Sequence, residues 1–168
     1  MEACSGGKEI DCMKIRLVSV GTRMPQWVQA GVEEYRRRLP WDFEMIVTEI
    51  PLGSRSKSVA TRAAMQKEGE ACLRAVEKDD YLVALDVKGT VLGTETMAQA
   101  FGALRDEGRN ISLVVGGPDG LDPSVLKAAH ATWSLSALTF PHPLVRVILA
   151  EQIYRVWSIL GGHPYHRA

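Results

Sequence analysis

Residues 133–168 read WSLSALTFPHPLVRVILAEQIYRVWSILGGHPYHRA, and this stretch dictates what the rest of the chain must supply. It opens on a short alternating segment, 133–138, that reads as a strand, and turns at Pro141-His142-Pro143. The helix expected over 144–160 carries Leu144, Ile148, Leu149, Ile153, Val156, Trp157 and Leu160 on more than one face. A helix apolar nearly all round is buried, in the core or against a second subunit. Gly161-Gly162 stops it. Three of the four histidines, His142, His163 and His166, lie in this stretch, the last two in a tail with Tyr165 and Arg167. Such a tail either frays into solvent or returns to a site.

Working outward, a sheet to bury that helix is legible upstream. Residues 14–20 (KIRLVSV) and 43–50 (FEMIVTEI) have strand character, while 81–86 (YLVALD) and 110–115 (NISLVV) are almost wholly apolar. Continuous apolar strands are expected where both faces of a sheet are covered. Between them, helical spacing recurs over 25–38, 59–78, 95–107 and from Pro123 to about Ala131, with Thr94 and Asp122 as expected N-caps. Strict strand–helix alternation demands parallel pairing. The expected architecture is one α/β domain over 13–168, a parallel sheet flanked by helices. Residues 1–12 (MEACSGGKEIDC) are small and polar and read as an extension foreign to that fold, from a misassigned start or a cloning remnant.

Composition narrows the function. Twenty basic and twenty acidic residues give zero formal charge, which does not favour nucleic-acid binding unless charge is clustered. Candidate clusters are Arg36-Arg37-Arg38, which is either a solvated helix end or a phosphate-facing patch, and Arg55 with Lys57 in a Pro/Gly/Ser loop. No apolar run approaches the ~20 residues of a membrane span. Cys4, Cys12 and Cys72 match no metal-ligand spacing, so no metal is expected, and the setting is read as reducing and cytoplasmic.

Four places could carry chemistry. The turn GGPDG, 116–120, lets backbone approach closely, as a tight turn or beside a ligand, but it is neither a dinucleotide fingerprint nor a Walker loop. The loop SALTFPHP, 136–143, can read an adenine edge with backbone groups between the apolar Leu138 and Phe140. His142 is a helix-entry residue or a catalyst. Glu151 and Arg155, four apart on the long helix, either pair on its surface or serve a site with Arg146. The tail residues His163, Tyr165, His166 and Arg167 offer proton acceptors, a stacking ring and a phosphate contact.

Through VSVGT at 18–22, YLVALD at 81–86, LVVGGPDGL at 113–121 and the whole of 133–167, the chain resembles the bacterial RlmH family. Its members are SPOUT-class methyltransferases that modify N3 of a pseudouridine in 23S ribosomal RNA, with the ribosome as substrate. The resemblance implies a C-terminal deep trefoil knot, S-adenosylmethionine as donor and a homodimer. It implies that the cofactor touches Leu85, Gly116 and Leu135, Ser136, Ala137, Leu138, Thr139 and Phe140. It also implies that Glu151, Arg155, Tyr165, His166 and Arg167 serve the substrate, with His166 or Glu151 accepting the N3 proton. Two alternatives are a SPOUT methyltransferase acting on transfer RNA and a nucleotide-binding module without catalysis.

Overall fold

The computed structural model describes residues 12–56 and 60–167, so the reading of 1–12 as an extension lies outside the described residues except at Cys12, and Lys57 lies outside them as well. In chain order the elements are β1 (Met13–Val20), α1 (Gln26–Arg36), β2 (Phe43–Ile50), α2 (Thr61–Ala75) and β3 (Tyr81–Val91). There follow α3 (Thr94–Asp106), β4 (Ile111–Val115), α4 (Pro123–Ala128), β5 (Ala131–Ser134), α5 (His142–Leu160) and a 3-10 turn, Pro164–Arg167. The strands form one sheet in the order β2-β1-β4-β3-β5, every pair parallel.

The two-residue period of the strands sorts side chains between two cores. Ile15, Leu17, Ile111, Leu113 and Val83 face α1, α3 and α5, where they meet Val32, Phe101, Leu149 and Ile153. Val18, Val20, Leu82, Ala84 and Val114 face α2 and α4 and meet Cys72 and Val125. Each fully buried Leu, Ile or Phe contributes roughly 1.5–3 kcal/mol. The α5 side of the sheet therefore holds the larger share of the stability. Gly31 brings α1 tight against α5, since a Cβ there would stand 3.1 Å from Val147. Leu144 and Ile148 on α5 stay only half-buried and outside that core cluster.

Several boundaries differ from the sequence reading, each for a physical reason. The strand expected over 133–138 is Ala131–Ser134, because Ser134 and Ser136 turn the chain with side-chain bonds to neighbouring backbone. β3 continues past Asp86 to Val91 by bulging, so that Leu85 and Thr90 both pair with Trp133. Thr94 is the first residue of α3 and Gly93 its cap, leaving the Thr94 hydroxyl free to donate to Gln152 at 2.8 Å. Asp122 does cap α4, accepting from the Ser124 amide.

Candidate active site

Parallel strands put all their C-terminal ends on one edge, the place where α/β sheets bind ligands. The register pairs Leu85 with both Val115 and Trp133, so Leu85 stands between the ends of β4 and β5 while β3 bulges on to Val91. Leu85, Gly116 and the run Leu135–Phe140 are thereby gathered at one edge. Ser134 donates to the Ser136 carbonyl at 2.9 Å, and the Leu138 amide donates to the Ser136 hydroxyl at 3.0 Å. These bonds fix a loop in which Ala137, Leu138 and Thr139 are exposed, Leu138 at 69%. An apolar side chain held that far out beside accessible backbone suits a flat, partly apolar ligand.

Gly116 answers the question its sequence left open. A Cβ on it would come within 2.6 Å of the Gly120 carbonyl carbon, so the turn's own backbone requires the glycine. Gly117 and Gly120 bridge across the turn, and Gly120 has φ of +87°, where a side chain is strained.

A second constellation sits on α5 and the tail. Glu151 Oε1 accepts from Arg155 Nε and Nη2 at 2.9 and 2.6 Å and from the Tyr165 hydroxyl at 3.0 Å. Its Oε2 accepts from Gln152 at 2.6 Å. Arg155 also lies 4.9 Å above the Tyr165 ring, whose edge packs on Tyr154 at 4.6 Å. Burial, reinforced by the bond to Glu151, pushes the Tyr165 phenol up to about 12. The tail is thus docked: it runs back along α5 as an ordered turn. His166 is half-buried with an unpartnered Nδ1, and Arg167 is exposed.

The two constellations are linked through α3: the Thr94 hydroxyl donates to Gln152, next to Glu151, and Leu92, two residues before Thr94, donates its amide to the Ser134 carbonyl at 3.4 Å. Glu151 is nine residues beyond His142 on α5, on the order of 14 Å along the axis, and Tyr165 brings the tail back to that level. His163 packs 5.3 Å from Trp157, inside this aromatic group.

Arg146 is the structural residue whose role sequence reasoning missed. It is 2% exposed and donates to Glu49 at 2.9 Å and to the carbonyls of Val20 and Gly21 at 2.9 and 2.7 Å. Its helical neighbour His142 is lowered from the usual histidine value, by burial first and by the Arg146 charge second. The isolated charge inside an apolar helix was the available signal. A cleft of about 420 Å³ opens elsewhere, between α1 and the β1–β2 pair, over Val28, Val32, Val47 and Arg146.

The basic clusters are largely neutralised in place. Arg36 pairs with Glu33 at 2.6 Å, and Arg37 and Arg38 both pair with Glu34, so the solvated-helix-end reading holds. Arg55 pairs with Glu68 and Asp119, each at 2.6 Å. Among the described residues, no helix is long and apolar enough to cross a membrane.

The family described as "Predicted SPOUT methyltransferase" matches residues 13–166. A ribosomal RNA large subunit methyltransferase H from Chromohalobacter salexigens is 51% identical over 155 residues, covering 92% of this chain and 100% of that protein. Its namesake from Marinomonas sp. is 49% identical over the same spans. Among solved structures, a "Probable Methyltransferase" from Bordetella pertussis aligns with a TM-score of 0.57 at 13% identity, over 87% of this chain and 95% of its own. A "probable methylase family protein" from Haemophilus influenzae aligns at 0.52 and 12%, over 93% and 70%. Those two likenesses concern the fold. With a family match across nearly the whole chain and relatives at half identity, the chain belongs to the SPOUT methyltransferases, alongside the ribosomal RNA large subunit methyltransferases H.

Proposed function

We propose that this protein methylates N3 of a pseudouridine in 23S ribosomal RNA, with S-adenosylmethionine as donor and the ribosome as substrate. The observation that carries the reading is 51% identity over 155 residues to a ribosomal RNA large subunit methyltransferase H. The gathering of Leu85, Gly116 and Leu135–Phe140 at one sheet edge gives the donor a place.

The accessible backbone of 137–139 and the exposed Leu138 fit an adenosine, and Gly116 keeps the neighbouring turn flat. When bound there, the donor supplies an electrophilic methyl group. N3 must lose its proton as it takes that methyl. His166 or Glu151 receives the proton. Arg155 or Arg167 stabilises the negative charge that develops on the base carbonyls. Holding N3 in line with the methyl group supplies much of the remaining rate.

The reading includes a homodimer in which the tail of one subunit completes the cofactor edge of its partner. The half-buried pair Leu144 and Ile148 is apolar enough to form the contact. A deep trefoil knot in the C-terminal part belongs to the same reading. Its support is that β5 joins beside β3 while α5 crosses back onto both α1 and α3. A cytoplasmic setting follows from the ribosomal substrate.

The test is radiolabelled methyl transfer onto 70S particles, free subunits and transfer RNA from a strain lacking the activity, with the modified base mapped. Label on a large-subunit pseudouridine is expected. Label only on transfer RNA overturns the substrate assignment.

A further inference from the structure

The loop joining β2 to α2 lies against the turn Gly116–Gly120. Arg55 in that loop has its guanidinium divided between two elements. Nη1 donates to Glu68 Oε1 at 2.6 Å and to the Gly53 carbonyl at 2.9 Å, and Nη2 donates to Glu68 Oε2 at 3.2 Å. Nε donates to Asp119 Oδ2 at 2.6 Å. Glu68 stands on α2, is 4% exposed, and also accepts the Gly53 amide at 2.8 Å. The loop rests directly on α2, because a Cβ on Gly53 would lie 3.0 Å from Ala64.

Glu68 and Asp119 differ in burial, and that difference sets the direction of control. A carboxylate as buried as Glu68 needs its cation and amide donors, so the Arg55–Glu68 limb is rigid. Asp119 is 38% exposed at its side chain and belongs to a turn whose own hold is the Gly117–Gly120 bridge. The base of the turn is seated on the same helix, where Gly69 leaves room for Asp122; a Cβ there would be 2.7 Å from the Asp122 Cβ. The tip of the turn is tied to α2 by Arg55.

We propose that Arg55 is a positioning residue: anchored by Glu68, it holds Asp119 and so fixes the Gly116–Gly120 turn in the shape that receives the methyl donor. This rests on the reading of that sheet edge as the donor site. It also takes Arg55 away from the ribosomal phosphates, since four of its five N–H donors are committed within the chain.

Arg55→Met strands the Glu68 charge and unfolds the junction, so the test uses Asp119→Ala, which removes the acceptor, and Arg55→Lys. Each is expected to weaken S-adenosylhomocysteine binding and to raise KM for S-adenosylmethionine by about five- to tenfold, with kcat at saturation within about twofold. The double variant should be no worse than either single one, because both cut the same link. Asp119→Glu, which restores the carboxylate, should recover most of the affinity. Amide exchange over residues 117–121 should quicken in both single variants without any ligand. Unchanged affinity and exchange, additive losses, or a loss of ribosome affinity alone would each overturn the proposal. If the wild-type chain bound no donor, the site reading would fall, while the exchange measurement would still decide whether Arg55 holds the turn.

Discussion

The hydroxyl of Tyr165 donates to Glu151 Oε1 at 3.0 Å, and this bond fastens the tail to α5. Glu151 keeps Arg155 and Gln152 when the phenol is lost. Tyr165→Phe should therefore cost only about 1 kcal/mol of stability in a denaturant titration. Methyl transfer should fall far more, by tenfold or above, because the tail residues His166 and Arg167 lose their position. An unchanged single-turnover rate would remove the tail from the mechanism.

The same tyrosine sets an alkaline limit. Its pKa rises from an ordinary value near 10 to about 12 in the folded chain, chiefly by burial. The neutral phenol is the form the fold prefers. Its contribution is intact below pH ~10 and is lost as pH climbs through the folded value. Tyrosinate absorbance should show one phenol titrating late, and Tyr165→Phe should abolish that late component.

His142 imposes the opposite limit. Burial and Arg146 lower it, so the folded chain prefers the neutral ring. The associated stability is present above the unfolded value near 6.5 and is lost as pH falls through the depressed folded value. His142→Gln should flatten the acid side of a stability-against-pH curve, and NMR should place the wild-type ring titration below that of a free histidine.

Arg146→Met should cost about 2–3 kcal/mol, because the carbonyls of Val20 and Gly21 lose their buried donor. Glu49→Gln should cost about 1 kcal/mol, since the amide oxygen can still accept and the position is 36% exposed. Denaturant midpoints of the two single variants and the double variant would check the order. A larger loss from Glu49→Gln would mean that the ion pair, and not the carbonyl contacts, holds α5 to β1.

Gly116→Ala forces a Cβ to within 2.6 Å of turn backbone and should cost roughly 1–3 kcal/mol together with donor binding. Gly93, with nothing within 4 Å of its Cβ position, should accept Ser at the α3 cap with a change within about 0.5 kcal/mol. Mixed with Arg167→Ala chains, Gly116→Ala chains should regain activity in heterodimers if the tail acts across the subunit boundary. Strictly additive inactivity would confine each site to one chain.

Two exposed cations at the candidate edge, Arg23 after β1 and Lys88 in the β3 bulge, have no carboxylate partner among the described residues. Replacing both with Ala should weaken ribosome binding and reduce its salt slope by about 1 per contact. Arg36→Ala should change neither, because Glu33 already holds that guanidinium.

The alternation of elements, the parallel sheet and the buried α5 were legible because periodicity and apolar strands are local signals. The end of β5 was not, since Leu135–Leu138 alternates like a strand while two serines bend it. The pairing of Arg36–Arg38 with Glu33 and Glu34 lay within helical spacing and could have been read. Arg55 with Glu68 and Asp119, or Arg146 with Val20 and Gly21, are contacts between distant segments and leave no local trace. The gathering of Leu85, Gly116 and Leu135–Phe140 needed the strand order, which the sequence pattern does not contain.

That strand order also constrains biosynthesis. β1 is flanked by β2 and by β4, and the α5 residues Leu149, Ile153 and Val156, all fully buried, close the core over strands made long before them. While α5 is still inside the translating ribosome, α1 and α3 rest on the sheet alone and the part of their apolar faces that α5 covers stays open. A nascent chain arrested before residue 142 would hold all five strands but leave one face of the sheet uncovered by α5, a sticky species exposed to chaperones.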